Sequence, residues 1–146
     1  MLIAVNAGNS RVLLGGYEED GQVFSASIAT EPKLTRDDYA CKLQQVLLLY
    51  GVNVRRIHGG IVSSVVPSVL EGALRLLGIR DVIEVSSGVK TGLNIRSEQP
   101  RQVGSDRVAA AVAARAKGKL PCVAVTLGTA TTFTALDGSG ALVGSA

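Results

Sequence analysis

Two short polar loops, each emerging from an apolar run, carry the residues in this chain best suited to chemistry. Leu2-Ile3-Ala4-Val5 empties into Asn6-Ala7-Gly8-Asn9-Ser10, and the alternating stretch Arg11-Val12-Leu13-Leu14 follows. Far downstream, Cys122-Val123-Ala124-Val125 empties into Thr126-Leu127-Gly128-Thr129-Ala130-Thr131-Thr132, ahead of Phe133-Thr134-Ala135-Leu136. Each copy then reaches a turn, Glu19-Asp20-Gly21 or Asp137-Gly138-Ser139-Gly140. The repeated unit reads as strand, small polar loop, strand, turn. Small residues at such a tip admit a ligand close to the backbone, and successive N–H groups there can cradle an oxyanion. Two tips facing each other would hold the phosphates of a nucleotide from both sides. Either loop alone is better explained as ordinary hairpin chemistry, in which Gly and Asn accept positive φ and Ser and Thr cap loose backbone groups. The repetition in matching context is what points to phosphate.

The elements around these loops follow from the apolar pattern. Strands are expected near residues 2–6, 11–17 and 22–29. Thr35 reads as the N-cap of a helix running to Tyr50, with Asp37 and Asp38 in its first turn and Gly51 as its stop. A buried-type strand at 61–65 precedes a second helix opened by Pro67 and ended by Gly78, and Val82-Ile83-Glu84-Val85 is the fifth strand. The pattern predicts a mixed sheet with helices packed on it. Residues 86–104 form a polar stretch too long for a plain connection, and buried-looking Leu93 and Ile95 mark it as an ordered loop. An alanine-rich helix starts at Ser105 or Asp106, and Gly118 and Pro121 stop it.

Composition bounds the rest. The chain has 146 residues, 47% hydrophobic but only 3% aromatic, so its interior rests on Val, Leu, Ile and Ala. A mean hydropathy of +0.31 suggests an interface with another copy or with a further segment. No apolar run approaches the roughly 20 residues that cross a bilayer, and the start reads as a strand rather than a signal peptide. A soluble, cytoplasmic protein is expected, with no membrane partner. Net charge is +3, with Lys and Arg scattered, so no basic stripe with stacking aromatics marks a nucleic-acid surface. Cys41 and Cys122 read as buried thiols, and the lone His58 as structural.

The two loops, the Ser63-Ser64-Val65-Val66-Pro67 turn, the Lys90-Thr91-Gly92-Leu93-Asn94-Ile95 loop and the Gly104-Ser105-Asp106-Arg107 helix start occur in one order. In that order they resemble the type III pantothenate kinases, or Bvg accessory factor family, over essentially the whole chain. The resemblance implies an α/β chain of the acetate and sugar kinase, heat-shock and actin superfamily, built on ribonuclease H-like domains with a mixed five-stranded sheet. It implies a first domain over residues 1–118 and the opening strands of an incomplete second copy over 119–146. It further implies ATP-dependent phosphorylation of pantothenate, the first step of coenzyme A synthesis, in a homodimer whose substrate site lies at the subunit interface.

By the same resemblance, ATP contacts fall on Asn6, Ala7, Gly8, Asn9, Ser10, Arg11, Val12 and Leu13, and on Thr129. Substrate contacts fall on Ser97, Gly104, Ser105, Asp106 and Arg107, with Asp106 the base that accepts the pantothenate hydroxyl proton. Without the resemblance, Asp106 reads as a helix N-cap. The chain departs from the family at Asn6 and Thr126, where relatives carry the Asp residues that organise Mg²⁺ on ATP and a monovalent cation, K⁺ or NH₄⁺. Ser105 replaces the usual Ala, and Ser97 stands where many relatives have Tyr. Hard cations prefer carboxylates, and loss of one preorganised electrostatic group costs about 10²–10³ in rate. The sequence therefore predicts a pantothenate kinase homologue with an impaired phosphate site. The alternative is a non-catalytic protein that binds nucleotide or pantothenate and acts through a partner, and a third class, a structural interaction module, would bind neither.

Overall fold

A computed structural model describes residues 1–64 and 69–146, so the expected turn through Val65, Val66 and Pro67 lies outside the described residues. The chain divides into two compact units, Met1–Glu84 and Val85–Ala146.

The first unit is a five-stranded sheet with helices on it. Its strands are β1 (Leu2–Ala7), β2 (Arg11–Glu18), β3 (Gly21–Ala29), β4 (Gly59–Ser64) and β5 (Asp81–Glu84), arranged β3-β2-β1-β4-β5. The meander β1-β2-β3 is antiparallel, whereas β4 runs parallel to β1 and β5 parallel to β4. Parallel neighbours require crossovers, supplied by α1 (Arg36–Leu49) and α2 (Leu70–Leu76). Period-two alternation sends Ile3, Val5 and Ala7 of β1 into the core, each nearly solvent-free, to meet Val12, Leu14 and Val62. Above them lie Tyr39, Leu43 and Leu47 of α1, one turn apart, and Leu70, Ala73 and Leu74 of α2. Leu2, Leu13, Ile61 and Ile83 alternate with the core residues and remain exposed.

The ends of α1 are those the sequence predicts. Thr35 and Asp38 form a reciprocal capping box, in which Asp38 N donates to Thr35 Oγ1 (3.3 Å) and Thr35 N to Asp38 Oδ2 (2.9 Å). These bonds to Thr35 hold the Asp38 carboxyl below its usual range. At the other end Gly51 takes φ +67°, and Val52 N and Gly51 N turn back onto the carbonyls of Leu47 and Leu48 at 2.8 and 3.0 Å. Cys41 points to solvent rather than into the core: it sits about 100° around α1 from Ala40, off the buried stripe.

The second unit holds a three-stranded antiparallel sheet of β6 (Cys122–Leu127), β7 (Thr131–Leu136) and β8 (Leu142–Ser145), ordered as a meander. It thus repeats the β1-β2-β3 plan. Helix α3 (Ser105–Ala116) packs on β6 and β7, placing Val108 and Ala111 against Leu136 and Leu142. The 86–104 loop belongs to this core through Val103, with Val85 just before it and with Leu93 and Ile95 half-buried against it. It is ordered because it behaves as a short strand: Arg96 N donates to Leu142 O and Leu142 N to Asn94 O, both at 2.8 Å. Packing therefore groups α3 with the second sheet, whereas the repeated strand plan restarts only at β6. Cys122 is half-buried. Among the described residues, no helix is long and apolar enough to cross a membrane.

Asp137 closes the β7–β8 turn. Its Oδ1 accepts from Ser139 Oγ (2.6 Å), Ser139 N (2.8 Å) and Ala141 N (3.0 Å), and Oδ2 from Arg96 Nη1 (3.3 Å). The Ser139 hydroxyl, above all, then the Ala141 amide and the other donors hold this carboxyl below its ordinary 3.8. A folded-state pKa depressed in this way contributes stability that is present above the unfolded value and lost as pH falls through the folded one. Thermal melts across pH 7 to 2 are expected to show the midpoint falling once pH drops below about 4. Asp137→Asn should lower the midpoint at neutral pH and reduce that acid-side fall.

Candidate functional site

In the first unit, the expected phosphate loop is the three-residue tip Gly8-Asn9-Ser10 joining β1 to β2. Asn6 lies opposite Leu13 in β2 and Ser63 in β4, on the exposed side of the sheet, while Ala7 and Val12 turn inward. Asn9, Ser10 and Arg11 are exposed at the tip. Gly8 N donates to Arg11 O at 2.9 Å and closes the loop. From the end of β3, Thr30 reaches across: its Oγ1 donates to Gly8 O (2.8 Å) and its N to Ser10 O (3.0 Å). The loop is therefore built by three strands. Nothing in the local sequence of the loop signals Thr30, because its place is set by the register of β2 with β3.

The second unit carries the matching tip, Gly128-Thr129-Ala130, also three residues long, between Thr126-Leu127 and Thr131-Thr132. Gly128 N turns back to Ala130 O at 3.3 Å, and Thr126 and Thr129 are both exposed. Neither Gly8 nor Gly128 adopts positive φ, so the left-handed backbone that ordinary hairpin chemistry would ask of them is not used. An added Cβ would meet only a carbonyl oxygen at 3.6 Å in each case. What glycine supplies here is a bare surface that a ligand can approach.

The expected substrate residues come together in the second unit. Ser97 and Arg107 line an open recess of about 270 Å³ with Glu98, Gln102, Val103 and Ser145. Arg107 Nη1 donates to Ser145 Oγ at 3.4 Å, and Ser97 Oγ accepts from Gln99 N at 3.3 Å. Glu98, Gln102 and Ser145 were not foreseen; Ser145 joins the recess only because β8 folds back beside α3. Directly across the ladder from Ser145, the Thr134 hydroxyl is fully buried with no hydrogen-bond partner among the described residues. Such an unsatisfied group costs about 1–3 kcal/mol.

Asp106 is not the cap of α3. Gly104 is, with no side-chain cap bond, so Asp106 sits in the first helical turn, where the helix dipole favours its negative charge. Its carboxylate lies over Gly104: a Cβ on residue 104 would stand 2.6 Å from Asp106 Oδ1. The Gly-Ser-Asp spacing thus has a steric reason, since only a missing side chain at 104 leaves room for this rotamer. Asp106 is half-buried and makes no hydrogen bond seen among the described residues. It is left available to accept a proton from a bound hydroxyl.

The two positions expected to organise cations offer one amide oxygen and one hydroxyl, both neutral. No three His, Cys, Asp or Glu come together among the described residues. Mg²⁺ and a bound monovalent cation would each rest on carboxylates at these positions, so the residues present do not fit a protein-held cation there.

The family model for type III pantothenate kinase matches residues 2–146. The chain is 39% identical over 142 residues to a type III pantothenate kinase of Shouchella clausii, covering 94% of this chain and 55% of that protein. It is 40% identical over 149 aligned positions to another of Syntrophotalea carbinolica, covering 100% of this chain and 58% of that protein. The chain therefore spans little more than half the length of these relatives. Among solved structures, ethanolamine utilization protein EutJ from Carboxydothermus hydrogenoformans superposes with a TM-score of 0.57 at 14% identity, over 99% of this chain and 50% of that one. At that identity the likeness speaks for the fold alone, an α/β architecture with a mixed five-stranded sheet. The family model and both relatives agree along nearly the whole of this sequence: this chain belongs to the type III pantothenate kinase family.

Proposed function

We propose that this chain supplies the phosphate-binding hairpin and the acceptor-activating carboxylate of an ATP-dependent pantothenate kinase. The observation that carries this reading is the seat of Asp106, a carboxylate kept over a glycine, free of capping duty and next in sequence to a half-buried arginine. Pantothenate carries a primary hydroxyl and a carboxylate. In this reading the recess lined by Ser97 and Arg107 takes the carboxylate end, with Arg107 as its counter-charge. Asp106 orients the hydroxyl and accepts its proton as the hydroxyl oxygen bonds to the γ-phosphorus of ATP and the bond from that phosphorus to the departing ADP breaks. Phosphoryl transfer passes through a loose transition state, so orientation of the nucleophile counts for more than strong basicity. The hairpin Asn6–Leu13 and the tip residue Thr129 hold the ATP phosphates through backbone N–H groups and hydroxyls. Residues 1–118 form the first ribonuclease H-like repeat and 119–146 the opening strands of the second. The functional form is a homodimer, in keeping with the exposed apolar residues of the sheet.

Neutral Asn6 and Thr126 favour a second reading, in which nucleotide or pantothenate binds without turnover. Each lacks the carboxylate that would hold a cation against phosphate charge, and where water is excluded such charges weigh heavily.

A coupled kinase assay with calorimetry for each ligand separates the two readings. On the catalytic reading, Asp106→Asn lowers turnover at least about 100-fold and leaves ATP affinity unchanged, because the base meets the hydroxyl and not the nucleotide. Ligand binding with no turnover in the unaltered chain establishes the second reading, and binding of neither ligand removes both.

Gly104→Ala gives a sharper version of the same test. Ala tolerates the backbone angles at 104 (φ −62°, ψ 151°), so the melting temperature should hold. The Asp106 carboxylate must swing away, and turnover should fall with it. Retention of full activity would show that the seat is unnecessary.

Asn6→Asp with Thr126→Asp is expected to strengthen ATP binding in the presence of Mg²⁺ and to raise turnover where Asp106 is intact. No change in either quantity would place the impairment elsewhere.

A further inference from the structure

We propose that Thr30 is a positioning residue for the first phosphate loop: its hydroxyl fixes which way the Gly8–Asn9 peptide faces. The inference rests on reading Gly8-Asn9-Ser10 as a phosphate loop. Thr30 Oγ1 donates to Gly8 O at 2.8 Å, and Thr30 N donates to Ser10 O at 3.0 Å. A trans peptide is planar, with C=O and the following N–H pointing in opposite directions. Because Gly8 O points to Thr30, Asn9 N–H points away from it, out of the hairpin. That is the orientation in which a backbone amide can donate to a phosphate oxygen.

The chemistry of the loop makes this orientation a choice rather than a necessity. Flipping the Gly8–Asn9 peptide turns ψ of residue 8 and φ of residue 9 by about half a revolution. Glycine accepts the first change at little cost, and asparagine is among the few residues that tolerate positive φ. The flipped loop would present the Gly8 carbonyl oxygen, which repels an anion, where the Asn9 amide would otherwise attract it. Closure of the loop by Gly8 N on Arg11 O involves the preceding peptide plane and does not select between the two states. The Thr30 hydroxyl does, by giving the Gly8 carbonyl a partner on one side only. Its own place is secure: β3 is paired with β2 up to Arg11 opposite Ala29, one residue before Thr30.

The test pairs a ligand-free measurement with a binding measurement. Thr30→Val keeps the shape and removes the hydroxyl, and Thr30→Ser restores it. Amide NMR of the free proteins reports the Gly8–Asn9 peptide, and calorimetric titration with ATP reports binding, with melting temperature as a control. In the unaltered chain the Asn9 amide resonance should be among those that move most on adding ATP. In Thr30→Val the Gly8 and Asn9 resonances should shift or split without ligand, and ATP affinity should fall about tenfold, the size of one charge-assisted hydrogen bond. Pantothenate affinity should stay unchanged, and Thr30→Ser should recover the ATP affinity. Unchanged Gly8 and Asn9 resonances in Thr30→Val, or altered resonances with unchanged ATP affinity, would overturn the role of Thr30 while leaving the phosphate loop itself intact. Should Thr30→Val fail to fold, an Asn9 amide indifferent to ATP in the unaltered chain would overturn it equally, and a moving one together with an intact Thr30→Ser would uphold it. An unaltered chain that does not bind ATP would overturn both this inference and the reading on which it rests.

Discussion

The first unit depends on the pairing of β1 along both of its edges. The strand is antiparallel to β2 and parallel to β4, so every residue from Leu2 to Ala7 has a neighbour on either side. Three inward side chains, Ile3, Val5 and Ala7, are at most 2% exposed. A one-residue slip would turn them to solvent and bring Asn6 into the core, so the register is fixed by burial. That constraint delivers the loop after Ala7 to one place. It also aligns β3 closely enough for Thr30 to reach Gly8.

The second unit solves a different problem, the placement of a carboxylate. A glycine cap, a carboxylate in the first helical turn and an arginine on the next residue set opposite charges beside an open recess. The capping bond that Asp would ordinarily make is absent here because residue 104, not 106, ends the extended segment. The fold thereby forgoes only a few tenths of a kcal/mol, since glycine is itself an acceptable cap, and leaves the group available. The buried Thr134 hydroxyl, on the residue paired with Ser145, is a larger cost of about 1–3 kcal/mol.

Much of this was legible from sequence, for reasons that differ by element. Alternation in Leu2–Ala7 and Arg11–Glu18 and the glycines at 21, 51 and 78 mark strands and stops because each is a local requirement of backbone geometry. The capping box of Thr35 and Asp38 is legible for the same reason. Cys41 was misjudged because a helical pattern identifies a stripe only once its phase is known, and Tyr39, Ala40, Leu43 and Leu47 set a phase that excludes it. Thr30 and Ser145 were invisible because they lie 22 and 38 residues from the partners they hold, joined only through sheet register. Gly104 was legible as part of a motif, but the steric reason for it needed the Asp106 rotamer. The helix start at Pro67 lies outside the described residues, and α2 is seen from Leu70.

The first unit is continuous in sequence: its five strands and two helices lie within Met1–Glu84, and no later residue contributes a strand to its sheet. Its meander closes through neighbouring segments before the two parallel strands are added in chain order. A chain emerging from the ribosome at about 5–20 residues per second could therefore complete this sheet within seconds of its last strand clearing the tunnel. The Gly8-Asn9-Ser10 hairpin would then be assembled before helix α3 has left the tunnel. The edge of β5, with Asp81 and Glu84 on it, would meet solvent carrying charges that discourage pairing with a neighbouring nascent chain.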